Sequence, residues 1–419
     1  MKNFTELLKS EIRPALGVTE VGAIALAAAR AYDAVGGTIV HIEMNMNGGM
    51  YKNGFSCGIP GTEELGCEMA AALGALGGQW QLGLECLKDI TDEHVRIAKD
   101  IPVQIFLQKE KEDIYILAEV TTTKGVGITR IEDAHDNIVF VAKDDQIIFA
   151  KEQKETKERK EVIDFDSITF SDMVEYVSSV SLEEIDFIKD MIAMNCRLSE
   201  KGQKGVGLSI GATLDAFQKK GVIGMDMIYH AQKLTCAAMD ARLSGLPYPA
   251  MSIVGSGSHG IVCSLPVVSY GRSVEAPEEK VVRAVALSCL VTIYSKHYTG
   301  RLSALCGCVI GGGSGAAAGV IYLMGGGASE VSHATNHMAA NLTGMICDGG
   351  STGCSLKASA GVYSAFLSAM LAMTGTVMPY HFGVIGSSAE QTVRNLGRIS
   401  DEGMSPMNRT IIDIMQQKK

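Results

Sequence analysis

One tryptophan in 419 residues and an aromatic content of 6% leave little large-ring surface, so the core must be filled by smaller side chains. Nine prolines are too few for an extended proline-rich chain, and a charged fraction of 20% is too low for a disordered one. Positive charge is not in excess: the formal net charge is -10, and the lysines and arginines are scattered except near 151–160. A nucleic-acid partner is therefore not expected. The amino-terminal run MKNFTELLKSEIRPALG places Glu6 and Glu11 among its apolar positions, the wrong charge order for an export signal. There is no regular cysteine framework either, and eleven cysteines, an odd number, point to reduced thiols in a cytoplasm.

Small and apolar residues are what the sequence has instead. Forty-seven glycines and a 47% hydrophobic content support a sizeable, tightly packed interior. Residues 358–389 lack Asp, Glu, Lys and Arg over a length that could cross a bilayer, but Gly361, Gly375, Pro379, His381 and Gly383 interrupt them. A buried helix in a protein core is the reading adopted, with no membrane partner.

Helical patterns cover 4–12 and 19–33, with Thr19 placed as an N-cap, and a β-like run covers 37–44. From Leu82 the texture changes to a helix at 91–99 and β-branched runs near 101–107, 114–122, 126–131, 137–142 and 146–150. The charged run 151–162 reads as a solvated helix or linker. Small-residue helical segments follow at 207–242, 279–298, 302–324, 332–346 and 355–374. The expected fold class is α+β: a mainly helical domain with buried small-residue helices, made of 1–81 and 161–419, and an inserted small α/β domain at 82–160.

The chemistry-bearing residues concentrate late in the chain. GMICDGGSTGCSLKASAG at 344–361 flanks a glycine-rich turn with Cys347 and Cys354, and RLSALCGCVIGGGSG holds Cys306 and Cys308. Glycines there let backbone N–H groups face a metal-bound sulfide. The spacings alone are not a ferredoxin motif; they also suit buried packing thiols or, with the CxC pair, zinc. A G-x-G-x-x-G match at Gly255, Gly257 and Gly260 lacks a surrounding βαβ unit, no G-x-x-x-x-G-K-[ST] sequence occurs, and His333 and His337 stand without an HExxH motif.

The stretches PALGVTE, YKNGFSCGIPGT, AALGALGG, GRLSALCGC, GMICDGGSTGCSLK and SGSHGI resemble the cysteine desulfidase family, itself similar to the α part of bacterial iron-sulfur L-serine dehydratases. The resemblance runs from about residue 11 to 375. It implies a [4Fe-4S] cluster on three cysteines with one iron open to substrate. The matching positions are Cys347, Cys354 and one of the LCGC pair, of which Cys306 is preferred to Cys308. It also implies β-elimination on a small amino acid, with L-cysteine to pyruvate, sulfide and ammonia as the first assignment.

Two departures bear on activity. The family motif GCTEP reads GVTEV here, so Val18 stands where the family has a cysteine that acts as base or displaceable ligand. Ser258-His259 stands where the family has Asn-Gln. His259 is the candidate replacement base, with Glu20 as a charged partner, and Thr19, Asn53, Ser256 and Ser258 as polar contacts to substrate. Their plain alternatives are a helix cap for Thr19, a turn for Asn53 and a first-turn carboxylate for Glu20. The rival function is a non-catalytic cluster protein, or a relative acting on another substrate such as L-serine. A homo-oligomer is compatible with the apolar content.

Overall fold

The computed structural model describes residues 3–111, 113–151 and 163–418. The charged run expected to be a linker lies almost wholly outside them. Among the described residues there are eight strands: β1 (Ile12–Leu16), β2 (Ile39–Asn47), β3 (Val103–Gln108), β4 (Tyr115–Thr122), β5 (Gly125–Glu132), β6 (Ile138–Lys143), β7 (Gln146–Ala150) and β8 (Pro249–Ile253). The remaining architecture is helical, so the chain is a mainly helical α+β protein.

Six strands form one sheet in the order β3-β2-β4-β5-β6-β7, with β2 and β3 parallel and the other pairs antiparallel. The alternation of buried and half-buried positions along β4 matches the period-2 pattern of its sequence. The sheet extends beyond residues 82–160, because β2 from 39–47 sits inside it. The alanine-rich helix Thr19–Val35 packs on β4, β5 and β6 and also against the helix Cys67–Gly77. Glycine permits these approaches: a Cβ on Gly127 would lie 1.9 Å from the Ala31 carbonyl oxygen, and one on Gly74 would lie 2.3 Å from that of Ala25.

A two-stranded sheet, β1 with β8, joins the amino terminus to the helical region, pairing Ile12 with Ile253 in antiparallel register. Among the described residues no βαβ unit surrounds the glycine match; β8 leads directly into the helix Gly257–Ser273, which holds Pro266 in its interior. That helix, Glu278–Thr299 and Gly313–Met324 pack on small residues, and a Cβ on Gly315 would meet the Thr292 hydroxyl at 2.2 Å. The segment 207–242 is two helices, Ile210–Lys219 and Met227–Leu243, separated where Gly221 takes φ +72°. One helix among the described residues, Gly353–Met373, is long and apolar enough to cross a membrane, and half of it is buried inside the fold.

The close helix pairs give a direct stability test. Gly74→Ala forces the backbones of two helices apart and should cost about 1–3 kcal/mol in chemical denaturation. Gly344→Ala, where a Cβ meets nothing within 4 Å, should change stability by less than about 0.5 kcal/mol.

Candidate active site

Two remote chain segments are clasped together at the site. Cys306 N–H donates to the Met345 carbonyl (2.9 Å) and Cys347 N–H donates to the Ala304 carbonyl (2.7 Å), forming a short antiparallel bridge between Leu305 and Ile346. The expected helix over 302–324 begins only at Cys308, with a π-helical turn Cys308–Gly312 continuing into Gly313–Met324. Extended backbone is needed before it, because 304–306 pairs with 345–347 rather than with its own next turn. Cys354 lies in the first turn of Gly353–Met373. Between the cysteines, Gly349 takes φ +101° and a Cβ there would stand 2.3 Å from the Lys52 carbonyl oxygen. Only glycine fits that approach.

Cys306, Cys308, Cys347 and Cys354 all line one inner cavity of about 80 Å³. The sulfurs of Cys306 and Cys308 are 3.4 Å apart. Either sulfur could donate in this contact; with Cys308 as donor, the hydrogen bond holds the Cys306 thiol down to about 7 against the opposing effect of burial, with the Lys357 charge assisting. Burial and the neighbouring Cys347 push Cys354 up to about 12. Among the described residues no three His, Cys, Asp or Glu side chains converge tightly enough for a single metal ion. His333 and His337 are turned elsewhere: the former meets Ser329 and the latter the Ser368 carbonyl.

Glu20, Asn53, Ser256, Ser258 and His259 reach the same cavity. Asn53 Nδ2 donates to Glu20 Oε1 at 2.8 Å, while the Thr19 hydroxyl donates to Oε2 at 3.0 Å. Thr19 is not the helix cap. Val18 occupies that position, its side chain caps nothing, and it forms part of the cavity wall, with Thr19 set behind Glu20. Burial works to raise the Glu20 carboxyl, but His135, 3.6 Å away, and Asn53 outweigh it and hold the group at about 2. His259 Nδ1 donates to the Ile253 carbonyl at 3.3 Å, so Nε2 carries the lone pair and points at Gly307, between Cys306 and Cys308. Burial and the Lys296 charge keep His259 well below the usual imidazole range.

Several wall residues carried no motif. His135 arrives on the β5–β6 turn, where Asp133 takes φ +68°, and its Nε2 has no hydrogen-bond partner. Arg242, 2% exposed, ends the helix Met227–Leu243 and donates to the Ser258 hydroxyl at 2.9 Å. Lys296 is equally buried; its ammonium donates to Ser303 Oγ at 3.1 Å, and burial depresses it to about 8 although the Cys347 and Cys306 thiols oppose that. Lys52 donates to the Cys347 carbonyl (3.0 Å) and to Asn408 Oδ1 (2.7 Å), tying the cysteine turn to the carboxy-terminal helix Ser405–Gln416. Lys357 joins Asp348 and the Ile346 carbonyl. A lone lysine in the apolar run ALSCLVTIYSKHY was a visible signal for Lys296; the other positions become functional only through tertiary contact. Arg301 and Ser303 line both the inner cavity and a larger cleft of about 930 Å³, so the two spaces adjoin.

The serine dehydratase alpha chain family model matches residues 81–413. The chain belongs to this family. A UPF0597 protein of Clostridium botulinum (strain Hall) is 42% identical over 417 residues, covering 98% of this chain and 97% of the relative. UPF0597 proteins of Clostridioides difficile (strain 630) and Caldanaerobacter subterraneus are each 39% identical, over 98% and 99% of this chain and 98% of each relative. Membership of the serine dehydratase alpha chain family gives the cavity a lyase-type context and agrees with the resemblance carried by CDGGSTGC.

The buried carboxylate makes a pH prediction. Glu20, held at about 2 against an ordinary 4.5, contributes stability that is fully present above pH 4.5 and is lost as the pH falls toward 2. Its magnitude is on the order of 3 kcal/mol. Acid unfolding of Glu20→Gln should lack this part of the pH dependence, and an unchanged acid profile would show that the carboxylate is not held as described.

Proposed function

We propose that this chain is a β-elimination lyase for a small amino acid bearing a β-thiol or β-hydroxyl, working with a [4Fe-4S] cluster on Cys306, Cys347 and Cys354. L-cysteine to pyruvate, sulfide and ammonia is the reaction to assay first, and L-serine to pyruvate and ammonia the second. The observation that carries the reading is the convergence of four thiols from remote segments on a cavity whose wall also holds buried Lys296 and Arg242. The donor set fits such a cluster. Soft thiolates select iron-sulfur chemistry, and a four-iron cluster spreads its thiolates over separate irons, wider than a single ion allows. Cys306, already stabilised as a thiolate by the Cys308 thiol, is the better third donor.

When bound, the cluster supplies a Lewis-acidic iron with an open position for the leaving group. The protein supplies the rest. Glu20 is anionic at neutral pH and offers its charge to the substrate ammonium, with Asn53 and Thr19 fixing its two oxygens. His259 is neutral there, with Nε2 free to take the α-proton; its depressed basicity favours returning that proton. Loss of the α-proton and of the β-substituent leaves an enamine, which tautomerises and hydrolyses in water to the keto acid and ammonia. Lys296 and Lys357 offset the negative charge of the thiolates. A reducing cytoplasm suits both thiols and cluster.

A second reading is favoured by one residue. Val18 places a hydrocarbon wall where the resembled family has a reactive thiol, which suits a non-catalytic cluster protein.

Anaerobic purification with iron and acid-labile sulfide analysis, followed by assays for sulfide and pyruvate, tests both. The lyase reading expects iron and labile sulfide in equal amounts together with product. It expects Cys306→Ser to lower iron and product by more than ~10-fold and Cys308→Ser to retain the cluster. Cluster without product from either amino acid supports the second reading, and a reconstituted chain that takes up no iron overturns both.

A further inference from the structure

The inner cavity contains a buried positive charge with no ion-pair contact among the described residues: the nearest acid on its wall, Glu20, acts on it only at a distance and does not outweigh its burial. Arg242 is 2% exposed, one Nη donates to the Ser258 hydroxyl, and its Nε has no hydrogen-bond partner. Among the described residues no carboxylate lies within ion-pair distance of it. Glu20, the acid on the cavity wall, is engaged by Asn53, Thr19 and His135. Cys57, another nearby thiol, donates to the carbonyls of Asn53 and Gly350 and so keeps its proton. Burial alone depresses the guanidinium, yet arginine does not give up its proton in proteins.

A second positive feature meets it. The 17-residue helix Gly257–Ser273 starts at the cavity, and Ser256 at its cap position makes no side-chain capping bond. The amides of its first turn and the positive end of its dipole are therefore not satisfied by a cap. Arg242 packs flat on this turn: a Cβ at Gly257 would lie 2.3 Å from its Nε. A guanidinium against a helix amino terminus repels, and leaving both buried is costly unless an anion lies between them. Lys296 and Lys357 face the cysteines more directly, and although Cys354 and Cys308 also act on Arg242, burial still outweighs them and leaves the guanidinium depressed.

We infer that Arg242 and the first turn of Gly257–Ser273 form a carboxylate-binding subsite that anchors the α-carboxylate of the substrate. This rests on the reading of the inner cavity as an amino-acid site. It assigns the two ends of the substrate to different lining residues, ammonium toward Glu20 and carboxylate toward Arg242, and so restricts how the α-carbon is presented to the cysteines. Arg242 is here a binding residue, and Ser258 positions it.

Equilibrium binding of L-serine and of L-serinamide, which lacks the carboxylate, tests the subsite in the full chain, both before iron is added and after reconstitution. The wild type should prefer L-serine by about 10- to 100-fold, the range of a charge-assisted hydrogen bond. Arg242→Gln should abolish that preference without changing L-serinamide binding or iron content, and Arg242→Lys should retain part of it. Should Arg242→Gln fail to fold, competition in the wild type decides: acetate displaces L-serine and acetamide does not. Persistent preference in a folded Arg242→Gln protein overturns the inference, as does acetamide competing as well as acetate. Loss of iron in Arg242→Gln with discrimination intact also overturns it, because the arginine would then serve the cysteines. An arginine-dependent preference in a chain that yields no product would uphold the subsite while the lyase reading failed.

Discussion

The two backbone hydrogen bonds between 304–306 and 345–347 bring together segments some forty residues apart in sequence, and the geometry of the candidate site follows from them. They force 302–307 out of the helix its composition favours, so that Cys306 enters the cavity from an extended strand while Cys308 opens the helix behind it. They also set the Asp348-Gly349-Gly350 turn against 47–57, where Lys52 fastens it to the carboxy-terminal helix. Any side chain at Gly349 would collide with the Lys52 carbonyl, so the clasp depends on backbone access as much as on hydrogen bonding.

Electrostatics complete the site. Buried Lys296 and Arg242, with Lys357 near the cysteines, bring positive charge to the cavity lining, which also holds Glu20 with its charge secured by Asn53 and His135. Such an arrangement is unfavourable for an empty apolar core, because buried ions are tolerated when paired. It is favourable for thiolates and for a zwitterion whose two ends differ in sign. Val18 adds only hydrocarbon to the wall, and His259 Nε2 is oriented toward the cysteine side by the Ile253 carbonyl, which is why the proposed lyase reading gives the proton to His259.

Much of the fold was legible because local physics decided it. The strands from 103 to 150 follow their β-branched alternation, and the small-residue helices appear where glycine and alanine permit close packing. The misses are equally physical. Thr19 looked like a cap, but the helix begins one residue earlier in hydrogen-bonding terms, at Val18. The sheet recruits β2 from the amino-terminal segment, a pairing that no local pattern encodes. At the site, CDGGSTGC and LCGC, like Glu20, Asn53 and His259, were singled out through a family resemblance, since the cysteine spacings alone suit packing thiols or zinc as well. His135 and Arg242 did not, since an ordinary turn and an ordinary helix end carry them to the cavity from elsewhere in the chain.

Iron-57 Mössbauer spectroscopy of the anaerobically reconstituted chain, with and without L-serine or L-cysteine, bears most directly on the central claim that three cysteines leave one iron open to substrate. The account predicts a [4Fe-4S] spectrum in which one iron differs from the other three and shifts when the amino acid is added. Four equivalent irons indifferent to the amino acid would contradict it.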